Sequence, residues 1–128
     1  DRSMRYTLLL HYAEQAEESL GAEAMEEGMR AFAAYAAALH GARVLIAAEV
    51  LRPSESTTTV SMDDGVLRVQ DGPFADTKEQ LGGTFVIDVP DLDEAISWAS
   101  QAPAVQWGAV EIRPGATHTR DGVWVANG

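Results

Sequence analysis

The order of strand-like and helix-like segments constrains the fold of this chain more than any other feature. Residues 5–12 (RYTLLLHY) are apolar or aromatic at most positions, which predicts a strand. One of its faces then carries Tyr6, Leu8, Leu10 and Tyr12. Residues 21–40 change to helical spacing, and Gly41 is expected to end that helix. The apolar stripe of the helix is predicted to be Met25, Met29, Phe32, Ala36 and Leu39.

The remaining pattern predicts further strands and a second helix. Asp91 with Glu94 three residues later has the spacing of a helix N-terminus. The buried stripe of this second helix is predicted to be Leu92, Ala95, Ile96 and Ala99. Residues 115–128 show no period that predicts an element. Further strands are expected at residues 44–51, 57–62, 66–70, 84–89 and 109–113, with a hairpin turn at Asp63–Gly65.

This order predicts an α+β sandwich in which two helices cover one face of an antiparallel sheet. The alternation at Leu9, Val86 and Val110 indicates that the second face of the sheet is also apolar. A large apolar face exposed to water is unfavourable, and a second copy of the chain is the simplest cover. The sequence therefore predicts a homodimer built sheet to sheet.

Composition excludes several classes of function. A length of 128 residues fits one domain, and a net charge of −11 argues against nucleic acids and anionic membranes as partners. The chain lacks cysteine, and its three histidines show no metal-ligand spacing, so no metal and no cofactor is expected. Without a long apolar segment or an N-terminal leader pattern, the expected location is cytoplasmic. Residues 1–3 are expected to be a cloning remnant.

A conspicuous corner interrupts the strand pattern at Asp71-Gly72-Pro73-Phe74. Gly72 before Pro73 suits a sharp exit from a strand, because proline restricts the residue that precedes it. Asp76 and Glu79 have the spacing of a capping box, which predicts a single helical turn. Phe74 is expected to fill the core beneath the corner rather than to form a platform for a substrate.

The same block, continued as residues 76–83 (DTKEQLGG), resembles the signature of DGPF-domain proteins in the YCII-related family. Segments around Glu49, residues 89–95 and residues 110–114 support the resemblance, which covers residues 4–114. It implies a ferredoxin-like sandwich that forms a dimeric α/β barrel, with a small-molecule cleft between sheet and helices. Residues 1–3 and 115–128 then lie outside the domain.

The resemblance implies less about chemistry. Enzyme-like relatives pair a histidine on the first helix with an aspartate, whereas here that helix carries Arg30, Phe32 and Tyr35, and His40 sits only at its final turn. The dyad is therefore not carried over. Proteins of the DGPF type are often encoded beside alternative sigma factors, which favours a regulatory setting.

Three residues are candidate catalytic groups. Asp71 lies at a strand end, where it either accepts a proton or orients a ligand, or forms only a local hydrogen bond of an Asx-type turn. Glu49 interrupts an apolar strand, so it is either a costly buried carboxylate or an edge residue facing water. His11 is either an acid–base group or a satisfied core or rim histidine. Arg52 either pairs with Glu49 or Asp71 or is solvated. The candidate substrate-binding residues are Arg52, Pro73, Phe74, Phe85 and Tyr35.

Three functions remain open from the sequence. The first is an acid–base enzyme of the lyase, isomerase or dehydrochlorinase type, with Asp71, Glu49 and His11 around an apolar pocket. The second is a non-catalytic ligand-binding or regulatory protein of the same shape. The third is an interaction module for a sigma factor or another transcription protein, which requires an exposed apolar or charged patch outside the dimer contact.

Overall fold

The predicted alternation of strands and helices is confirmed by a computed structural model, which describes residues 3–14 and 20–128. Asp1 and Arg2 of the expected cloning remnant lie outside the described residues. Two short 3-10 helices, Ser54–Ser56 and Pro103–Gln106, connect longer elements. The strands are β1 (Met4–Ala13), β2 (Leu45–Val50), β3 (Thr58–Asp63), β4 (Val66–Asp71), β5 (Glu79–Val89), β6 (Gly108–Pro114), β7 (Thr117–Arg120) and β8 (Val123–Ala126), and the helices are α1 (Ala22–Gly41) and α2 (Leu92–Ala99).

The main sheet contains four antiparallel strands in the order β2-β5-β1-β6. Both helices contribute buried residues to the core beneath one of its faces, so the predicted α+β class is confirmed. The sheet is open, with β2 and β6 at its edges, and the described residues form no closed barrel. The barrel that the resemblance implies would need strands from a second copy. Within the described residues, no helix is long and apolar enough to cross a membrane.

The space between the sheet and α1 is filled by aromatic rings. Tyr35 and Phe85 are 5% and 2% exposed, with ring centroids 5.1 Å apart, and Phe32 stacks on Phe85 at 6.4 Å. The Tyr35 hydroxyl donates a hydrogen bond of 2.8 Å to the carbonyl of Trp98, and burial raises the pKa of Tyr35 to about 12. These rings fill the space between the sheet and α1 where a small-molecule cleft was expected. Tyr35 and Phe85 are therefore core residues in the described chain.

The helix stripes are partly wrong. In α1 the buried line runs through Tyr35 and Leu39, while Met29 is 70% exposed, because the contact face is rotated from the predicted stripe. In α2, Ala95 and Ala99 are buried as predicted, whereas Leu92 and Ile96 are about half exposed. The left-handed residue that follows α1 is Arg43, with φ of 64°, rather than Gly41.

The second face of the sheet, called here the open face, is less apolar than the sequence predicted. Val110 pairs with Leu10, which is buried against the helices, so Val110 lies on the helix side. Leu9 and Val86 do lie on the open face, but their cross-strand neighbours there include Thr84 and Glu111. The apolar argument for sheet-to-sheet packing is therefore weaker than expected.

Strands β3 and β4 form a separate two-stranded hairpin whose apolar face points to solvent. Cross-strand pairing places Val60 opposite Val69 and Met62 opposite Leu67, and these four side chains are between 60% and 66% exposed. The opposite face carries polar residues such as Ser61 and Gln70. These four side chains thus form an exposed apolar patch on the hairpin.

The last residues form a second hairpin, β7–β8, where the sequence predicted no element. The side chain of Asn127 fastens it to β1. Its Oδ1 accepts from the Arg5 amide at 2.9 Å, and its Nδ2 donates to the carbonyls of Arg5 and Gly115 at 3.0 and 2.7 Å. The tight turn uses Asp121 and Gly122 with positive φ, a conformation that suits a two-residue hairpin loop. The predicted tail therefore contains a β-hairpin that is anchored to β1.

Candidate functional site

A wide cavity of about 900 Å³ opens at one end of the open face. It lies where the chain leaving the Asp71–Phe74 corner enters β5 and crosses the ends of β1 and β6. Titratable and hydroxyl side chains dominate its polar lining. The residues that line it are His11, Thr77, Lys78, Glu79, Ala109, Val110 and Glu111.

The chemical centre of this cavity is a histidine–carboxylate pair. His11 Nε2 lies 3.1 Å from Glu111 Oε1, and the two side chains are 32% and 56% exposed, so both can be reached from solvent. An ionised carboxylate only accepts hydrogen bonds, so in a neutral imidazole Nε2 carries the proton and the lone pair stays on Nδ1. Glu111 thus fixes the tautomer that leaves Nδ1 able to take a proton.

The local backbone explains the position of His11. The β1–β5 register shifts between Leu10 and His11, so Gly82 is an extra residue in β5. A Cβ on Gly82 would collide with the ring of Tyr12, and a Cβ on Gly108 would collide with the carbonyl oxygen of His11. Bulges often re-aim a side chain beside a site, and here both glycines allow the strands to close around the His11 backbone.

The loop that carries Lys78 is held by side-chain hydrogen bonds rather than by the predicted helical turn. Residues 72–78 form no helix, and Glu79 begins β5 instead of completing a capping box. Gln80 Nε2 donates to the carbonyls of Ala75 and Thr77, each at 3.1 Å. This arrangement places the only lysine of the sequence at the wall of the cavity.

The other two candidate catalytic residues lie away from His11. Glu49 sits on the edge strand β2, exposed, so the burial argument for it is wrong and the edge interpretation holds. It pairs with Thr84 on the open face. Asp71 is exposed at the end of β4, opposite Thr58. Neither carboxylate is among the residues that line the cavity.

The Asp71–Phe74 corner is anchored by its backbone. The Gly72 amide donates to the Thr57 carbonyl, and the Thr59 hydroxyl donates to the Gly72 carbonyl, both at 2.8 Å. Phe74 is 90% exposed, so the expectation that it fills the core is wrong. The physical reason is that the β3–β4 hairpin forms its own two-stranded sheet, separate from the main one.

Arg52 and Pro73 complete the predicted set. Arg52 is exposed after β2, and in the described part of the chain it forms an ion pair with neither Glu49 nor Asp71. Pro73 is half-buried at the corner. Of all the predicted site residues, the structure places His11 alone in the lining of the large cavity.

Comparison with known proteins gives two findings. The model of the YCII-related domain matches residues 4–115, nearly the whole chain. The chain belongs to the YCII-related family. An uncharacterised protein of Rhizobium meliloti is 34% identical over 113 residues, which cover 87% of this chain and 91% of that protein.

Two residues of this YCII-related chain were missed as site residues. Glu111 was used only as part of a strand motif, because 100 residues separate it from His11 and pairing is not visible in a linear pattern. Lys78 was included only as part of the block at residues 76–83, although a single lysine inside the family block was an available signal. Both belong to the site only because β1, β5 and β6 lie side by side in the sheet.

Proposed function

We propose that this YCII-related protein is a small-molecule-binding homodimer whose site is the cavity beside His11 and Glu111. The observation that carries the proposal is the 3.1 Å contact between His11 Nε2 and Glu111 Oε1 at the wall of a cavity of about 900 Å³. A carboxylate that orients an imidazole is the arrangement used for general acid–base catalysis. The reaction class it favours is proton abstraction followed by elimination or isomerisation.

In this proposal each polar group of the cavity has a distinct task. His11 Nδ1 takes a proton from a carbon beside a carbonyl or carboxylate, and Glu111 stabilises the imidazolium that results. The ammonium group of Lys78 attracts an anionic substrate and stabilises negative charge that develops on its oxygen. The Thr77 hydroxyl donates to the carbonyl of Glu79 and so helps to hold the loop beside the same region.

In this proposal, the predicted residues that lie outside the cavity act at the contact with a second copy of the chain. We place the protein in the DGPF branch on the strength of the Asp71–Phe74 corner, and we assign that corner to the dimer contact. Asp71, Pro73 and Phe74 project with the hairpin and would border a ligand only where a partner brings them near it. Glu49, on the open face of β2, is proposed as an outer carboxylate of the same face.

The apolar face of the hairpin supports the homodimer. The side of the hairpin that faces solvent carries an apolar surface formed by Val60, Met62, Leu67 and Val69, and Phe74 is exposed in the loop that follows β4. Soluble proteins rarely leave such a patch uncovered. The described chain offers no element that covers it, so the proposal assigns it to a second copy.

The same hairpin favours a second function. An exposed apolar patch apart from the open face is the feature required of an interaction module that serves a transcription protein, and the hairpin provides it. In that case the His11 cavity would bind a ligand without catalysis and the hairpin would contact a different protein. The two functions differ in whether His11 changes a substrate.

Proton exchange in heavy water tests the acid–base function. The protein is incubated with a panel of small keto, hydroxy and chloro acids, and loss of their C–H signals is followed by proton NMR. The proposal expects at least one compound to exchange or eliminate faster than in buffer. It expects His11→Asn and Glu111→Gln to slow that rate by about tenfold or more, since each removes part of the acid–base pair.

The matched control is His40→Asn, which removes an exposed imidazole at the end of α1. It should leave the rate unchanged. If all three variants retain the rate of the unmodified protein, His11 is not the base. If the unmodified protein accelerates no member of the panel yet binds one in a thermal-shift assay, the non-catalytic function is favoured.

A further inference from the structure

A second cavity, of about 240 Å³, lies at the opposite end of the open face, beneath the β7–β8 hairpin. Arg5 and Asp88 are cross-strand neighbours on the main sheet, and His118 and Arg120 are alternate residues of β7. All four line the cavity, together with Asn127. The hydrogen bonds of Asn127 to Arg5 hold the hairpin over the sheet, so the cavity is built by the fold rather than by a surface loop.

Two residues that line this cavity each have one buried side-chain atom that lacks a hydrogen-bond partner among the described residues. These atoms are Oδ1 of Asp88 and Nδ1 of His118. Buried polar atoms are almost always paired, because an unpaired one has lost water without replacement. Both lining residues therefore have an unmet hydrogen bond, which a small rearrangement of their side chains around a polar ligand would satisfy.

The charges of the wall define the ligand. Arg5 and Arg120 are cationic, and among the described residues neither forms an ion pair with Asp88. Burial lowers the pKa of His118, and the charges of Arg5 and Arg120 lower it further against the opposing effect of Asp88, so the imidazole is neutral at pH 7. The side chains of the wall therefore carry two positive charges and one negative charge, in a protein whose net charge is −11. One anionic group satisfies the arginines, and a donor beside it satisfies the carboxylate of Asp88.

We infer that the cavity formed by Arg5, Asp88, His118 and Arg120 binds a small carboxylate that carries a hydrogen-bond donor on its α-carbon. The carboxylate pairs with the guanidinium groups of Arg5 and Arg120, for which arginine geometry is well suited. The α-hydroxyl or α-ammonium group donates to the carboxylate of Asp88. The His118 ring accepts or donates a further hydrogen bond according to its tautomer. The Ser3 segment, expected to be a cloning remnant, also lines this cavity.

Three matched acids test the inference. Lactate, alanine and propionate differ only in the group on the α-carbon, and binding is followed through the imidazole NMR signals of His118. Lactate or alanine should shift these signals saturably, and propionate should bind at least about tenfold more weakly because it cannot donate to Asp88. Lactate and alanine together distinguish a hydroxy acid from an amino acid as the ligand.

Variants separate binding from folding. Arg120→Gln should weaken binding of the preferred acid by about tenfold or more. Arg30→Gln, which makes the same change of charge on the exposed face of α1, should not. Asp88→Asn should reduce the preference over propionate and strengthen propionate binding, a gain that a misfolded variant would not show. His11→Asn should leave this site unchanged, which distinguishes it from the site of the proposed function.

Several results would overturn the inference. One is that none of the three acids shifts the His118 signals at millimolar concentration. Another is that all three bind alike, which removes the role of Asp88. The third is that Arg120→Gln and Arg30→Gln have the same effect on binding.

Discussion

At the scale of single residues, Gly72 is constrained by its backbone conformation. The sequence predicted that Pro73 restricts the residue before it. The structure shows open space where the Cβ of a larger residue would lie, but a φ of 102°, a conformation that L-residues rarely adopt. The constraint on Gly72 is therefore the backbone conformation rather than contact with a neighbour.

We expect Gly72→Ala to lower the free energy of unfolding by about 1–2 kcal/mol, because alanine is strained at this φ. Gly41→Ala is the matched control, since Gly41 also has open space around it but has no positive φ. It should be neutral or stabilising by up to about 1 kcal/mol. Urea unfolding curves of both variants give the comparison. Equal stability of the two would show that the backbone at Gly72 relaxes without cost.

An alternating strand pattern placed some candidate residues correctly and others wrongly, because it shows the face of a strand but not its neighbours in the sheet. Alternation correctly separated His11 from the buried Leu8 and Leu10 face. It could not reveal Glu111 as the partner of His11, because that contact depends on which strands are neighbours in the sheet. Glu49 was misjudged for a related reason, since its apolar strand is an edge strand and burial depends on that position.

At the scale of elements, the sequence located the strands of the main sheet and both helices. It missed the glycine-containing first part of β5 and the short β7–β8 hairpin. Strand β5 begins at Glu79 rather than residue 84, because Gly82 and Gly83 continue the strand. Gly82 leaves room for the Tyr12 ring, and Gly83 leaves room for the carbonyl of Glu49. The β7–β8 hairpin was missed because each strand has only four residues. Its anchor, Asn127, is a tertiary contact with β1.

The exposed hairpin makes the sharpest prediction at this scale. Leu67→Lys should weaken self-association by about tenfold or more, since burial of a leucine contributes about 1.5–3 kcal/mol. Gln70→Lys is the matched control, because it adds the same charge on the opposite face of the same hairpin. Sedimentation velocity over a range of concentrations measures the dissociation constant of each variant. If both variants associate as the unmodified protein does, the apolar face of the hairpin is not the contact.

At the scale of the whole molecule, the described residues form a cavity with polar side chains at each end of one sheet face. The His11 end is wide and open, whereas the Arg5–His118 end is smaller and roofed by the C-terminal hairpin. The middle of that face carries Leu9 and Val86 among threonines, half-buried in a single copy. In the proposed homodimer, a partner laid over this face would enclose both cavities.

Native mass spectrometry of freshly purified protein tests the central claim most directly, because one spectrum reports both assembly and bound ligand. The account predicts an assembly of twice the 13.7 kDa chain mass, with an additional small mass that is lost in His11→Asn and retained in His40→Asn. A spectrum at micromolar concentration that contains only single chains without an added mass would contradict it.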